Sequence, residues 1–295
     1  MSPGDRLLRL ASGGALALVV VTVITLVGAI VVLGAPAITP SFLFDPPGSS
    51  LDGGIFPAII GTVVTTLLMT LAGVPVGVTT AIYLSEYAPR RSLHATIVRA
   101  AVRNLAGVPS IIFGLFGLGF FVLFVGRGID RALYDDGEPV FGRPAILWAS
   151  LTLAILTLPV VIVTTEEALR RVPRELREAS AALGATKLQT IRRVILPHAM
   201  PGILTGALLA TARGAGEVAP VLFTGVASYV AHSPTDLRSG FMHLGYHVYV
   251  LATQSPDVER TRATLFGTVL VLLVLTALLN AGALVLRSQM REGAR

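Results

Sequence analysis

The chain has no cysteine, a single lysine and a single tryptophan, and only 14% of its 295 residues are charged. Without cysteine there is no disulfide framework, no iron–sulfur cluster and no thiol chemistry, and redox logic leaves the compartment open. A soluble domain usually carries about a quarter charged residues. That shortfall, with 53% hydrophobic residues and a mean hydropathy of +0.76, points to a polytopic membrane protein rather than a large soluble core. The lone lysine, Lys187, is followed by Leu188. A phosphate loop needs a glycine-rich turn ending in lysine and Ser/Thr, so the chain holds none and is no ATPase by itself. No basic stripe interleaved with aromatics is present, which argues against nucleic acid as a partner. There is no fixed-period repeat and no low-complexity tract.

Six apolar runs reach the length of roughly 20 residues that a spanning helix needs. They are Ala15–Leu33, Ile55–Leu84, Leu105–Val125, Ile146–Thr165, Pro201–Thr224 and Ala263–Leu286. The second holds Pro57 and Pro75 and is expected to tilt or kink. The first follows Arg6 and Arg9 and precedes "GAPA", like a signal peptide. Its apolar run exceeds a signal core of roughly 7–15 residues, so an uncleaved first helix is expected.

The net charge is +6 and the pI about 10.3. With the N terminus inside, sixteen basic residues fall on the inner side, six on the outer, and Arg213 lies within a span. That bias places both termini in the cytoplasm. Residues 1–54 then form a first helix and extracytoplasmic loop, 55–287 a membrane domain with a cytoplasmic loop at 166–200, and 288–295 a tail.

Between spans four and five lies "REASAALGATKLQTIRRVILP", Arg177–Pro197, which is polar, basic and helix-prone. Pro173 suits a first helical turn, and "ELREASAAL" is rich in helix formers. Gly184 supplies a stop. Thr186 caps a second helix, with Gln189 as its capping-box partner, and Pro197 is expected to end that helix before the membrane. The spacing predicts a helix, a glycine turn and a helix on the membrane surface. An amphipathic hairpin resting on anionic lipid fits this pattern; so does a docking element.

Here the chain resembles a known family. Glu178-Ala179-Ser180, three residues, Gly184, nine residues, then Val194-Ile195-Leu196-Pro197 is similar to the "EAA" loop of permeases of ATP-binding-cassette importers. It departs in Ser180 for alanine and Val194 for isoleucine. The resemblance implies an all-α, six-helix permease of the ABC type I fold. It also implies a loop that docks in a cleft of a separate ATPase, through Glu178, Ala179, Gly184, Leu196 and Pro197. "NLAGVPSIIFGLFGLGFF" (Asn104–Phe121) and "ARGAGEVAPVLFTG" look like phosphate permeases, and the second like the PstA-type subunit. The likeness runs from about Gly61 onward. It implies a bacterial plasma-membrane subunit working with a PstC-like permease, two PstB-like ATPases and a PstS-like phosphate-binding protein. No cofactor is implied.

Arg213 and Glu217 are four apart in the fifth run. An arginine at mid-membrane costs about 2.5–3.5 kcal/mol on insertion scales, so it normally faces the bundle interior or a watery cavity. The pair either neutralises itself, making Arg213 tolerable, or stands on a substrate path. Arginine's planar fork suits tetrahedral oxyanions, and Glu217 can accept a hydrogen bond from a protonated one such as hydrogen phosphate. Gly214 and Gly216 leave room for a partner helix. Packing is the expected role of Gly107, Gly114, Gly117 and Gly119.

Weaker signals remain. His243 and His247 have metal-pair spacing but no obvious third ligand, and no metal site is expected. The stretch Val226–Arg262 exceeds a simple turn; docking of an outer binding protein and an ordinary solvated loop both fit. Substrate choice among oxyanions is open at this level: molybdate and sulfate permeases share the architecture. An ATP-independent carrier is the distant alternative, and it would not need the cytoplasmic loop.

Overall fold

The computed structural model describes residues 3–48, 53–89, 92–134, 138–227, 234 and 236–292. Parts of the loops at 49–52, 135–137 and 228–233, and the tail 293–295, therefore lie outside the described residues. Among the described residues the regular structure is helical, apart from one isolated bridge between Val226 and Phe241. Among the described residues, six helices are long and apolar enough to cross a membrane.

The elements are α1 (Pro3–Gly34), α2 (Pro40–Phe44), α3 (Phe56–Ile82), α4 (Leu93–Leu105), α5 (Ser110–Phe116), α6 (Arg127–Leu133) and α7 (Ile146–Arg170). After them come α8 (Arg174–Ala182), α9 (Lys187–Thr190), α10 (Leu196–Ala215), α11 (Ala219–Thr224), α12 (Leu244–Thr253) and α13 (Val258–Glu292). Three π-helical stretches join neighbours without a break: Tyr83–Tyr87 extends α3, Gly117–Gly126 links α5 to α6, and Ile191–Ile195 links α9 to α10.

The central element is α7, two-thirds buried along its apolar window. It packs between α3 and α10. Lipid is as apolar as leucine, so such helices associate through close packing rather than through the hydrophobic effect. Small residues permit it here. A methyl group at Gly77 would fall 2.6 Å from Val161 Cγ1, and one at Gly206 only 1.9 Å from Thr164 Oγ1. Threonines within the bundle satisfy themselves: Thr62, Thr65, Thr66 and Thr70 each donate to the carbonyl four residues back. The Thr70 and Thr211 hydroxyls meet at 3.1 Å, linking α3 to α10.

Three boundary expectations fail at identifiable residues. The third span starts at Ser110, because Pro109 disfavours a helical Val108 and α4 ends at Leu105. The fifth is a rod from Lys187 to Ala215, ended by Gly216 rather than reaching Thr224. Pro197 does not end the preceding helix. The π turn at 191–195 widens the backbone ahead of Pro197, where its ring would otherwise crowd the carbonyl of Arg193.

Helix α1 stands apart from this core. Its apolar window has no buried residue, and it meets the rest at its end, where Gly34 lies against the Phe266 carbonyl of α13.

Candidate functional site

The polar stretch folds as the predicted hairpin of α8 and α9. Gly184 has φ +76, the left-handed region that glycine enters freely. Around it the Gly184 N–H donates to the Ala181 carbonyl at 2.9 Å and the Ala185 N–H to the Ser180 carbonyl at 3.2 Å, a Schellman ending. The capping box is formed: Gln189 N–H reaches Thr186 Oγ1 at 3.3 Å, and Thr186 N–H reaches Gln189 Oε1 at 2.8 Å. The Ser180 and Thr190 hydroxyls, both buried, meet at 2.9 Å between the two helices.

The five residues expected to couple do not converge on one point. Glu178, Ala179 and Gly184 are exposed on the hairpin, and Pro197 is exposed at its joint with the span. Leu196 instead packs beneath, against a cluster with Leu169, Ile191, Ile195 and Ile203. Two apolar side chains flank the turn in the open: Leu183 is 89% exposed and Leu188 65%. The sequence reading passed over both.

It also missed the ion pairs beneath the hairpin. One guanidinium nitrogen of Arg177 donates to both Glu86 carboxylate oxygens at 2.7 Å, and the other donates to the Leu169 carbonyl at 2.7 Å. Lys187 lies over the Tyr87 ring, 5.0 Å from its centre. Nearby, Arg99 Nε donates to Glu166 at 3.1 Å while Arg99 also donates to the Leu84 carbonyl, and Arg170 lies 3.9 Å from Glu166. A cavity of about 860 Å³ opens here, lined by Glu86, Arg99, Arg170, Arg174, Arg177 and Glu178 among others. The available signal was the surplus of arginines in these loops, which calls for acids at the span ends, in "LSEYAPR" and "TTEEAL".

Arg213 and Glu217 do come together, Nε to Oε1, at 3.6 Å. Arg213 stands in the last turn of α10, where a cation is favoured by the helix dipole. Glu217 lies just past the break at Gly216. Their side chains are 43% and 20% exposed. Gly214 packs on Met69 and Thr157, which sets Arg213 level with the middle of α3 and α7. Gly216 is open, with its own chain's Arg213 carbonyl the nearest group. On the same face of α10 follow Leu209, Thr205, Gly202 and His198, spaced three or four apart. A second cavity of about 410 Å³ begins there, with Glu167 and Arg171 of the α7 end on its wall.

Of the four glycines expected to pack, Gly114 lies against the Ala219 and Pro220 backbone and Gly117 against Thr152 and Thr224. Gly119 has nothing within 4 Å, and Gly107 only the Asn104 carbonyl.

His243 and His247 lie in no solvated loop: both are buried at the start of α12. His243 Nδ1 accepts the Gly245 N–H at 3.2 Å. Burial pushes both imidazoles down from 6.5 to about 4. The stretch Val226–Arg262 thus contains a packed helix, pinned where the Leu244 N–H meets Thr62 Oγ1 at 2.9 Å.

Residues 73–292 match the family model described as binding-protein-dependent transport system inner membrane component. Over 236 residues the chain is 38% identical to the phosphate transport system permease protein PstA 1 of Mycobacterium tuberculosis, covering 80% of this chain and 71% of that one. Over 271 residues it is 31% identical to the probable phosphate transport system permease protein PstA of Methanocaldococcus jannaschii, covering 92% and 89%. Among solved structures, a chain of a bacterial alginate ABC transporter bound to its periplasmic protein superposes with a TM-score of 0.67 at 16% identity, covering 95% of this chain and 93% of that one. A chain of the MetNI methionine ABC transporter, inward facing, gives 0.58 at 21% identity, covering 80% and 94%. At those identities the two structures share the fold alone, that of an ABC type I permease.

Proposed function

The chain belongs to the family of binding-protein-dependent transport system inner membrane components, and on that premise we propose that its hairpin docks the ATPase and that Arg213 and Glu217 stand on the substrate path. It is a multi-pass permease subunit of an ATP-driven phosphate importer. The ATPase is a separate subunit, and a substrate-binding protein completes the complex. In the finer assignment the partners are a PstC-like permease, two PstB-like ATPases and a PstS-like extracytoplasmic protein. The hairpin end and both termini face the cytoplasm. Residues 1–54 are the peripheral helix and first loop, 55–287 the permease domain with the coupling loop 166–200, and 288–295 a tail.

One observation carries the reading. The exposed pair Leu183 and Leu188 tops a hairpin whose second helix runs unbroken to the turn that holds Arg213. An apolar tip on a polar hairpin fits a cleft on a partner protein. At the other end of the rod, the Arg213 fork offers paired N–H groups to a tetrahedral oxyanion. Glu217 accepts from the remaining P–OH of hydrogen phosphate.

The test is ATP-dependent uptake of radiolabelled phosphate by proteoliposomes holding the full complex and its binding protein. Leu183→Glu is expected to release the ATPase and abolish uptake. Arg213→Gln is expected to abolish uptake while the complex stays assembled. Normal transport by either variant overturns the corresponding half of the reading.

A further inference from the structure

We propose that Glu86 and Arg177 are positioning residues that fasten the hairpin to the inner ends of α3 and α7. A displacement of the hairpin is thereby delivered to α3 as well as to α7 and α10, which it already adjoins along the chain. The proposal rests on the reading of the hairpin as the ATPase dock.

The two hairpin helices reach the membrane differently. The second continues into α10 through the Ile191–Ile195 turn, so it moves that span without help. The first, α8, has no backbone continuity with α3. Its polar tie to that span is one Arg177 nitrogen that donates to both Glu86 oxygens at 2.7 Å. The same guanidinium donates at 2.7 Å to the Leu169 carbonyl at the end of α7, which also accepts the Val172 N–H at 3.4 Å. One side chain therefore holds two span ends.

Apolar packing reaches α8 as well, since Leu176 joins the cluster around Leu169 and Val172 on which Val78 and Ile82 of α3 also pack, and the ion pair adds a directional tie at its edge. The pair borders the cavity of about 860 Å³, where Arg170, Arg174 and Glu178 face open space rather than α3. The ion pair bridges a gap. It is also hard to dismiss during a transport cycle: the Glu86 side chain is only 7% exposed. A carboxylate left there without its partner is an unpaired buried charge, a costly state. Both residues that meet the hairpin, Glu86 and Tyr87, come from the π turn at 83–87, the kind of insertion that often marks a functional position. Arg99 offers an internal comparison. It ties α4, α7 and the Leu84 carbonyl with similar chemistry but makes no contact with the hairpin.

The experiment measures phosphate taken up per ATP hydrolysed, in proteoliposomes of the assembled complex with its binding protein. Arg177→Gln and Glu86→Gln should keep the ATPase bound and hydrolysing, with uptake per ATP reduced at least about fivefold, the low end of typical coupling between sites. The double variant should be no worse than either single one. Arg177→Lys keeps the charge but cannot reach both Glu86 and Leu169, so it should fall between. Arg99→Gln should leave the ratio at the wild-type value. If the single variants fail to assemble, the double variant decides, because it leaves no buried charge alone. Assembly with poor uptake per ATP supports the proposal; assembly with full uptake per ATP, or no assembly, overturns it. Leu183→Glu separates the premise. If it abolishes uptake while Arg177→Gln transports at the normal ratio, the fastening role is wrong and the dock stands. If Leu183→Glu transports normally, the dock itself is wrong.

Discussion

The Ser180 hydroxyl sits 2.9 Å from that of Thr190, buried where the two hairpin helices cross. The pattern this loop resembles has alanine at the first of these positions. The serine turns an apolar crossing into a hydrogen-bonded one, and it fixes the angle at which Leu183 and Leu188 are presented. Ser180→Ala is expected to loosen the hairpin by about 1 kcal/mol, because Thr190 loses this hydroxyl partner. Pairing it with Thr190→Val should recover most of that loss, since both polar groups are then gone. Amide hydrogen exchange over residues 174–190 reads both effects. Unchanged protection in the single variant would contradict the role given to the pair.

Gly184 tests the turn itself. Its φ of +76 is strained for any residue with a Cβ, and a methyl there meets nothing. The cost of Gly184→Ala is therefore purely conformational, about 1–2 kcal/mol. Asparagine tolerates this region better. Uptake should fall more in Gly184→Ala than in Gly184→Asn. Equal uptake in the two would mean that the backbone angle is not what function needs.

Gly206 tests the α7–α10 seam. A Cβ there would stand 1.9 Å from Thr164 Oγ1, whose own hydroxyl donates to the Val160 carbonyl at 2.7 Å. Gly206→Val is expected to push the helices apart and cost about 1–3 kcal/mol or more. Thermal unfolding in detergent should show a lower midpoint, partly restored by adding Thr164→Gly. A wild-type midpoint for the single variant would show the seam to be loose.

The buried histidines give the chain a pH profile. Both have a folded pKa of about 4 against 6.5 unexposed to the fold. Between those values the unfolded chain binds protons that the folded chain refuses. Stability is therefore full above pH 6.5 and declines as pH falls toward 4, by at most about 1.4 kcal/mol per pH unit for each histidine. The thermal midpoint should drop from pH 7 to pH 5, and His243→Phe with His247→Phe should flatten that slope. An unaltered slope would assign the acid sensitivity to other groups.

Much of this architecture was legible because it is enforced locally. Crossing a bilayer demands runs of about 20 apolar residues, and six such runs stand out. Gly184, Thr186 and Gln189 act on backbone within a few residues of themselves, so the hairpin could be drawn from them. Arg213 and Glu217 are close enough along the chain to meet without long-range packing, although the helix ends between them. Glu86 and Arg177 are 91 residues apart, and only the packing of α3 beside α7 brings them together. The end of the fifth span was misplaced for another reason. It was drawn as an apolar run, Pro201–Thr224, whereas Gly216 breaks the helix inside that run and the polar residues from Lys187 onward continue it on the other side. The burial of His243 was hidden because α12 is too short to announce itself between two spans.

The unbroken rod from Lys187 to Ala215 has a mechanical consequence. It is 29 residues long, about 43 Å at 1.5 Å per residue. From Leu188 to Ala215 the chain stays helical, with the 191–195 turn and Pro201 as the places where it can bend before Gly216. A twist of about 10° around the helix axis carries a side chain about 5–6 Å off that axis sideways by roughly 1 Å. Arg213 stands at the far end of that twist, 3.6 Å from Glu217 just beyond the break, whose N–H is held by the Gly214 carbonyl at 3.2 Å. On the proposed reading of the hairpin and of Arg213, the span is a crankshaft, with its handle at the hairpin and its cam at the guanidinium.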